Sequence, residues 1–196
     1  MVEEALQRLI ASSGLKTTRP KNGLWNPFGK LISSLDKVVV NPNWVNHENQ
    51  SGFGLDCLIT HPSLIEAVLR MIARTNPSSI LLGDAPIQGC DFNKLLEYGS
   101  IAEVASSLNR EGVNINISDF RKFIRKNAGV LKEETNRGVY QDRQYVTFDL
   151  GRDSLLEPIS QNSEKFRVTM YDPRVMAKNH QPGVHRYLIA KEVLES

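Results

Sequence analysis

Only two of the 196 residues are cysteine, Cys57 and Cys90, too few for a disulfide framework or for a four-thiolate zinc or iron–sulfur centre within the chain. Two reduced thiols, acting as small buried hydrophobes, are the expected state. An excess of one charge sign is missing too. Lys plus Arg at 24 against Asp plus Glu at 22 leaves +2, so a phosphate-tracking surface is not expected and nucleic acid is set aside as a partner. No apolar run approaches the roughly twenty residues of a membrane span. The start, Met1-Val2-Glu3-Glu4, has neither the basic stretch nor the apolar core of a secretory signal, which gives a cytoplasmic expectation. What is present is ordinary: 40% hydrophobic and 23% charged residues, enough for a packed core without staples and in keeping with one domain over 1–196.

Along the chain, Val2, Leu6, Leu9 and Ile10 recur at helical spacing up to Gly14, predicting an amphipathic helix. Residues 16–34, with two prolines and two glycines, read as an irregular arm that could bind a partner. Gly23 to Lys30 imitates a phosphate loop but fails, because Leu31 stands where a magnesium-binding hydroxyl is needed. Val38-Val39-Val40 then predicts a buried strand ending at Asn41-Pro42-Asn43. Pro62 to Asn76 predicts a helix through Leu64, Ile65, Val68, Leu69 and Ile72, with Ser63 and Glu66 at capping-box spacing. Ser79-Ile80-Leu81-Leu82 predicts a second strand, Asp91 to Arg110 a glycine-broken helical stretch, and Val113 to Ile117 a third strand.

This alternation predicts an α/β fold with a mostly parallel central sheet flanked by helices. Beyond Gly138, Tyr145–Asp149 and Phe166–Met170 alternate and predict an antiparallel addition, while Tyr187 to Leu194 reads as a closing helix.

Polar residues gather where the strands end: Asn41 and Asn43, then Asp84, Asp119 and Asp172. In a parallel sheet those ends face one crevice, where ligands usually bind. Gly83-Asp84-Ala85-Pro86-Ile87-Gln88-Gly89 reads as a stiff polar loop, with Asp84 able to orient a hydroxyl and Gln88 able to donate. The bland alternative is a turn in which Asp84 caps nearby amides. Thr60-His61-Pro62 opens a helix whose free amides suit an anion, and His61 adds a proton donor. His180 and His185, around Pro182-Gly183, fit no zinc spacing and read as solvated loop histidines, followed by Arg186 as a charge partner. Arg121, Lys122, Arg125 and Lys126 read as a solvated basic face.

Asn41-Pro42-Asn43, Thr60-His61-Pro62, Gly83-Asp84-Ala85-Pro86 with Gln88-Gly89, and Tyr187-Leu188-Ile189-Ala190 together resemble the family called domain of unknown function 362, over about residues 37–196. The resemblance implies an α/β domain and carries Pro42, Asn43, Thr60, His61, Pro62, Gly83, Asp84 and Pro86 onto the family's motif positions, with no activity attached. Relatives often have lysine where this chain has Asn41. Some carry a ferredoxin-like cluster domain that two cysteines do not reproduce, so no iron–sulfur cluster is expected here. Relatives also continue past the final helix into a lysine-rich motif absent from these residues, which would make this a shortened member.

The resulting expectation is a small anionic or polyhydroxylated ligand bound by Asn43, Thr60, His61, Asp84, Gln88 and Arg186, without a metal. His61 and Asp84 are the catalytic candidates, and whether the chain is an enzyme stays open. The alternatives are a non-catalytic interaction module working through the 16–34 arm or the basic 121–126 face, and an accessory to iron–sulfur redox proteins.

Overall fold

The computed structural model describes residues 2–14, 27–126, 133–136, 144–165 and 173–196. Of the 16–34 arm, only residues 27–34 fall within it, and Phe166–Met170 and Asp172 lie outside it. The chain forms two compact units: Met1–Pro86 with Asp91–Asp119, and Ile87–Cys90 with the residues from Phe120 to Glu195.

The first unit has the expected alternation. Strand β1 (Lys37–Val40), helix α2 (Pro62–Ala73), strand β2 (Ser79–Asp84), helices α3 (Phe92–Glu97) and α4 (Ile101–Arg110), and strand β3 (Ile115–Asp119) follow helix α1 (Val2–Ser12). The three strands form one parallel sheet in the order β1-β2-β3, with Val38 opposite Ile80 and Ile80 opposite Ile115. Parallel neighbours need a crossover, and α2 and α4 supply it, packing on one another. Ile65, Leu69 and Ile72 on α2, Leu108 on α4 and Ile80 and Leu82 on β2 are all buried, so a single apolar layer holds helices to sheet. The break between α3 and α4 falls at Gly99, whose φ of 69° is open to glycine and costly to other residues. α1 is tied to α2 by the Glu3–Arg74 ion pair.

The cap of α2 differs from the capping box expected at Ser63 and Glu66. His61 is the N-cap, its Nδ1 accepting from the Ser63 amide at 3.2 Å, and Glu66 instead pairs with Arg70 one turn on at 2.9 Å. Pro62 already occupies the first helical position, which forces the cap back onto His61.

In the second unit β4 (Phe123–Lys126) pairs antiparallel with β5 (Glu133–Asn136). β6 (Tyr145–Asp149), β7 (His180–Gln181) and β8 (Val184–Ala190) form an antiparallel sheet in the order β6-β8-β7. Helix α5 (Pro173–Asn179) leads into β7, and α6 (Lys191–Leu194) follows β8. The chain is therefore α/β, with one parallel sheet and, among the described residues, two antiparallel ones.

The closing helix expected over Tyr187–Leu194 is mostly strand. Val184–Ala190 runs along β6, Tyr187 opposite Phe148 and Ile189 opposite Val146, and only the last four residues, Lys191–Leu194, are helical. The apolar residues 188, 189, 193 and 194 fit a helical stripe equally well. The ladder to β6 decides between the two, because it satisfies backbone groups that an isolated eight-residue helix would leave marginal.

Candidate functional site

The carboxyl ends of β1, β2 and β3 lie along one edge of the parallel sheet. Asp84 and Asp119, the last residues of β2 and β3, are in register, and Asn41, just past β1, reaches across to Asp84. Its side-chain amide donates to Asp84 Oδ1 at 2.9 Å and to the Gly83 carbonyl at 2.7 Å. The Trp44 amide donates to Asp84 Oδ2 at 2.6 Å, and the Ala85 amide to Oδ1 at 2.8 Å. The Asp84 carboxylate thus ties three segments together. Its oxygens are occupied by protein donors, so it organises the loops around it.

From Asn43 the chain is latched to the start of α2. The Asn43 amide donates to Thr60 Oγ1 at 3.0 Å, and the Thr60 amide returns to the Asn43 carbonyl at 2.8 Å. His61 follows at once and is exposed. Its Nδ1 accepts from a backbone N–H, so the neutral ring carries its proton on Nε2 and offers a donor. Among the described residues no hydrogen bond joins His61 to Asp84. The two catalytic candidates are connected only through Thr60, Asn43 and the 41–44 turn.

Trp44, which sequence reasoning passed over, belongs to this region. It is 1% exposed, bridges to Ile59, and stands edge-on to Phe92 with ring centroids 5.7 Å apart. Its indole Nε1 is buried without a partner, an expense for which folds usually hold an acceptor from water or a ligand. An aromatic residue two positions beyond Pro42 was the available signal.

Gln88 and Arg186, the other two expected binding residues, belong to the second unit. Gln88 Oε1 is buried and unpartnered, and Arg186 faces Asp149 at 3.6 Å. The 87–90 segment is held by Arg121, whose guanidinium donates to the carbonyls of Ile87 and Cys90, each at 2.9 Å. Arg121 is buried, contrary to the solvated basic face expected for residues 121–126. Carbonyl acceptors in the loop make its burial tolerable, and no charge pattern along the chain reveals them. Cys90 is buried as expected, whereas Cys57 is exposed, beside the Asn49 amide at 3.5 Å.

The largest departure concerns His180 and His185, expected as solvated loop residues and in fact buried. Pro182-Gly183, with φ of 77° at the glycine, forms a two-residue turn that pairs His180 with His185 across β7 and β8. Their rings meet edge to edge, with centroids 5.6 Å apart and Nδ1 atoms facing at 3.4 Å. His185 Nε2 meets Glu157 Oε2 at 2.9 Å, and that same oxygen accepts from the Gly183 amide at 2.8 Å. The Gly183 amide, and then the His185 ring, hold the Glu157 carboxyl below its ordinary range. Burial, and then His185, push His180 below the usual histidine value of 6.5.

Both shifts have the same sign. On acidification the unfolded chain binds protons that the native state resists, first at His180 just below pH 6.5 and then at Glu157 below 4.5, so stability is lost as pH falls. Amide exchange at Gly183 and His185 is expected to accelerate as pH drops from 7 to 5, after correction for intrinsic exchange, while that of Leu82 stays unchanged. Equal responses at all three would contradict a local acid-sensitive cluster.

Among the described residues no group of three His, Cys, Asp or Glu side chains is arranged to hold a metal, and no helix is long and apolar enough to cross a membrane. Compared with family models, curated proteins and solved structures, the chain matches none.

Proposed function

We propose that the first unit binds a small anionic or polyhydroxylated ligand at the carboxyl ends of β1–β3. The supporting observation is the knot at Asp84: one carboxylate fastens the ends of β1 and β2 and the Trp44 turn, and the Asn43–Thr60 latch brings the first turn of α2 alongside. The amides that open α2 are used within its cap, Ser63's by His61 Nδ1 and those of Leu64 and Ile65 by the His61 carbonyl, so what this arrangement leaves for a ligand is the exposed His61 ring with its Nε2–H. A ring N–H beside the positive end of a helix suits carboxylate, phosphate or sugar oxygens. Asn43 and Thr60 position His61, and Gln88 and Arg186, which belong to the second unit, have no part in this reading.

A thermal-shift screen of inorganic phosphate, citrate, malate and sugar phosphates tests this, because a ligand of the native state raises the melting temperature by mass action. A positive shift that His61→Ala removes at unchanged basal stability is the expected result. No shift with any of these compounds, or one that His61→Ala leaves intact, contradicts the reading.

A second reading, a protein-interaction module, has one specific observation behind it: Leu31 of the arm is 59% exposed. Deleting residues 1–34 would then abolish capture of a partner while leaving small-molecule shifts intact.

A further inference from the structure

The second unit holds a chain of proton-carrying groups that plays no part in the ligand reading above. Glu157, kept ionised by the Gly183 amide, can only accept, so His185 must carry a proton on Nε2. With His185 neutral, its Nδ1 accepts and the facing His180 Nδ1 donates. That leaves the lone pair of His180 on Nε2, an atom without a hydrogen-bond partner among the described residues. His180 as a residue is 6% exposed, and its Nε2 is not among the fully buried unpaired side-chain atoms found in the described residues, Trp44 Nε1 and Gln88 Oε1. Tyr187 closes one side of the ring at 5.1 Å between centroids and is itself pinned by Ser154 Oγ at 2.8 Å.

We propose that Glu157, His185 and His180 form a proton relay in which His180 Nε2 takes a proton from a water or alcohol hydroxyl. The hydroxyl O–H bond breaks with its electron pair left on oxygen, and the proton binds His180 Nε2. The proton on His180 Nδ1 passes to His185 Nδ1, and the positive charge comes to rest on His185 against the Glu157 carboxylate. Nothing is oxidised or reduced. Glu157 and His185 are positioning residues, doing for a second imidazole what a carboxylate does for a single one in hydrolytic triads. Burial suits the role, since a ring kept neutral holds a free lone pair near neutral pH.

Two measurements on the full chain test the relay. A long-range proton–nitrogen spectrum with labelled histidine is expected to show His185 as the Nε2–H tautomer and His180 as the rarer Nδ1–H tautomer; Nε2–H at His180 overturns the relay. Diethyl pyrocarbonate supplies the second measurement: a free ring nitrogen attacks its carbonyl carbon and expels ethyl carbonate. His180 is expected to be acylated well ahead of His185. Glu157→Gln, which keeps an oxygen for the Gly183 amide but removes the charge, is expected to slow His180 several-fold without slowing His61. An unreactive His180 beside an acylated His61, or an unchanged rate in a folded Glu157→Gln protein, overturns the proposal. Should that variant fail to fold, the tautomers of the unsubstituted protein suffice: Nδ1–H at His180 supports the relay and Nε2–H overturns it.

Discussion

Replacing Asp84 by alanine is expected to lower stability by about 3 kcal/mol, because hydrogen bonds to a charged group contribute roughly 1.5–3 kcal/mol each and their loss is partly offset by water reaching the freed donors. The carboxylate accepts from Asn41 Nδ2 and from the amides of Trp44 and Ala85, so alanine leaves three donors without their acceptor. Asp84→Asn keeps one oxygen but turns an NH₂ toward donors, and about half of the loss is expected. Urea unfolding followed by Trp44 fluorescence, with Trp25 replaced by phenylalanine, measures both. A loss under about 0.5 kcal/mol, the range of an ordinary surface change, would show that the strand ends hold together without Asp84.

Gly99→Ala carries the other large effect. The backbone at Gly99 has φ of 69°, and a Cβ there would overlap the Pro62 ring at the first position of α2. The left-handed conformation costs about 1–2 kcal/mol for a side-chain-bearing residue, and forcing extra volume into a packed site adds about 1–3 kcal/mol. A total of about 2–5 kcal/mol is expected. Gly112→Ala serves as the comparison, since φ there is 91° with nothing within 4 Å of the added carbon. It bears the backbone cost alone, so the difference between the two variants reports the Pro62 contact. Because Pro62 follows His61, Gly99→Ala should also weaken any ligand shift that depends on His61.

Local signals in the first unit were strong enough to read. The run Val38–Val40 and the apolar stripe of α2, closed by Asn76-Pro77, each match one element, and β1, α2 and β2 form close to the expected limits. Glycine between two helical stripes marked the break at Gly99. The strand-end polar residues were also legible, and Asn41 and Asp84 do meet. Their roles were not: whether a carboxylate is free or already occupied depends on which amides fold back onto it, and the Trp44 amide is 40 positions away in the chain.

The order of strands and helices in the first unit, its apolar layers and the polar character of its strand ends came from the amino-acid order alone, since turn residues and hydrophobic period act over a few neighbours. Tertiary structure decided the rest. Tyr187–Ala190 became strand because β6 offered a ladder, Arg121 became buried because the 87–90 carbonyls surround it, and His180 and His185 left solvent because Glu157 and a two-residue turn close over them. Each outcome rests on a partner distant in sequence, and a side chain's burial and protonation follow from that partner more than from its neighbours.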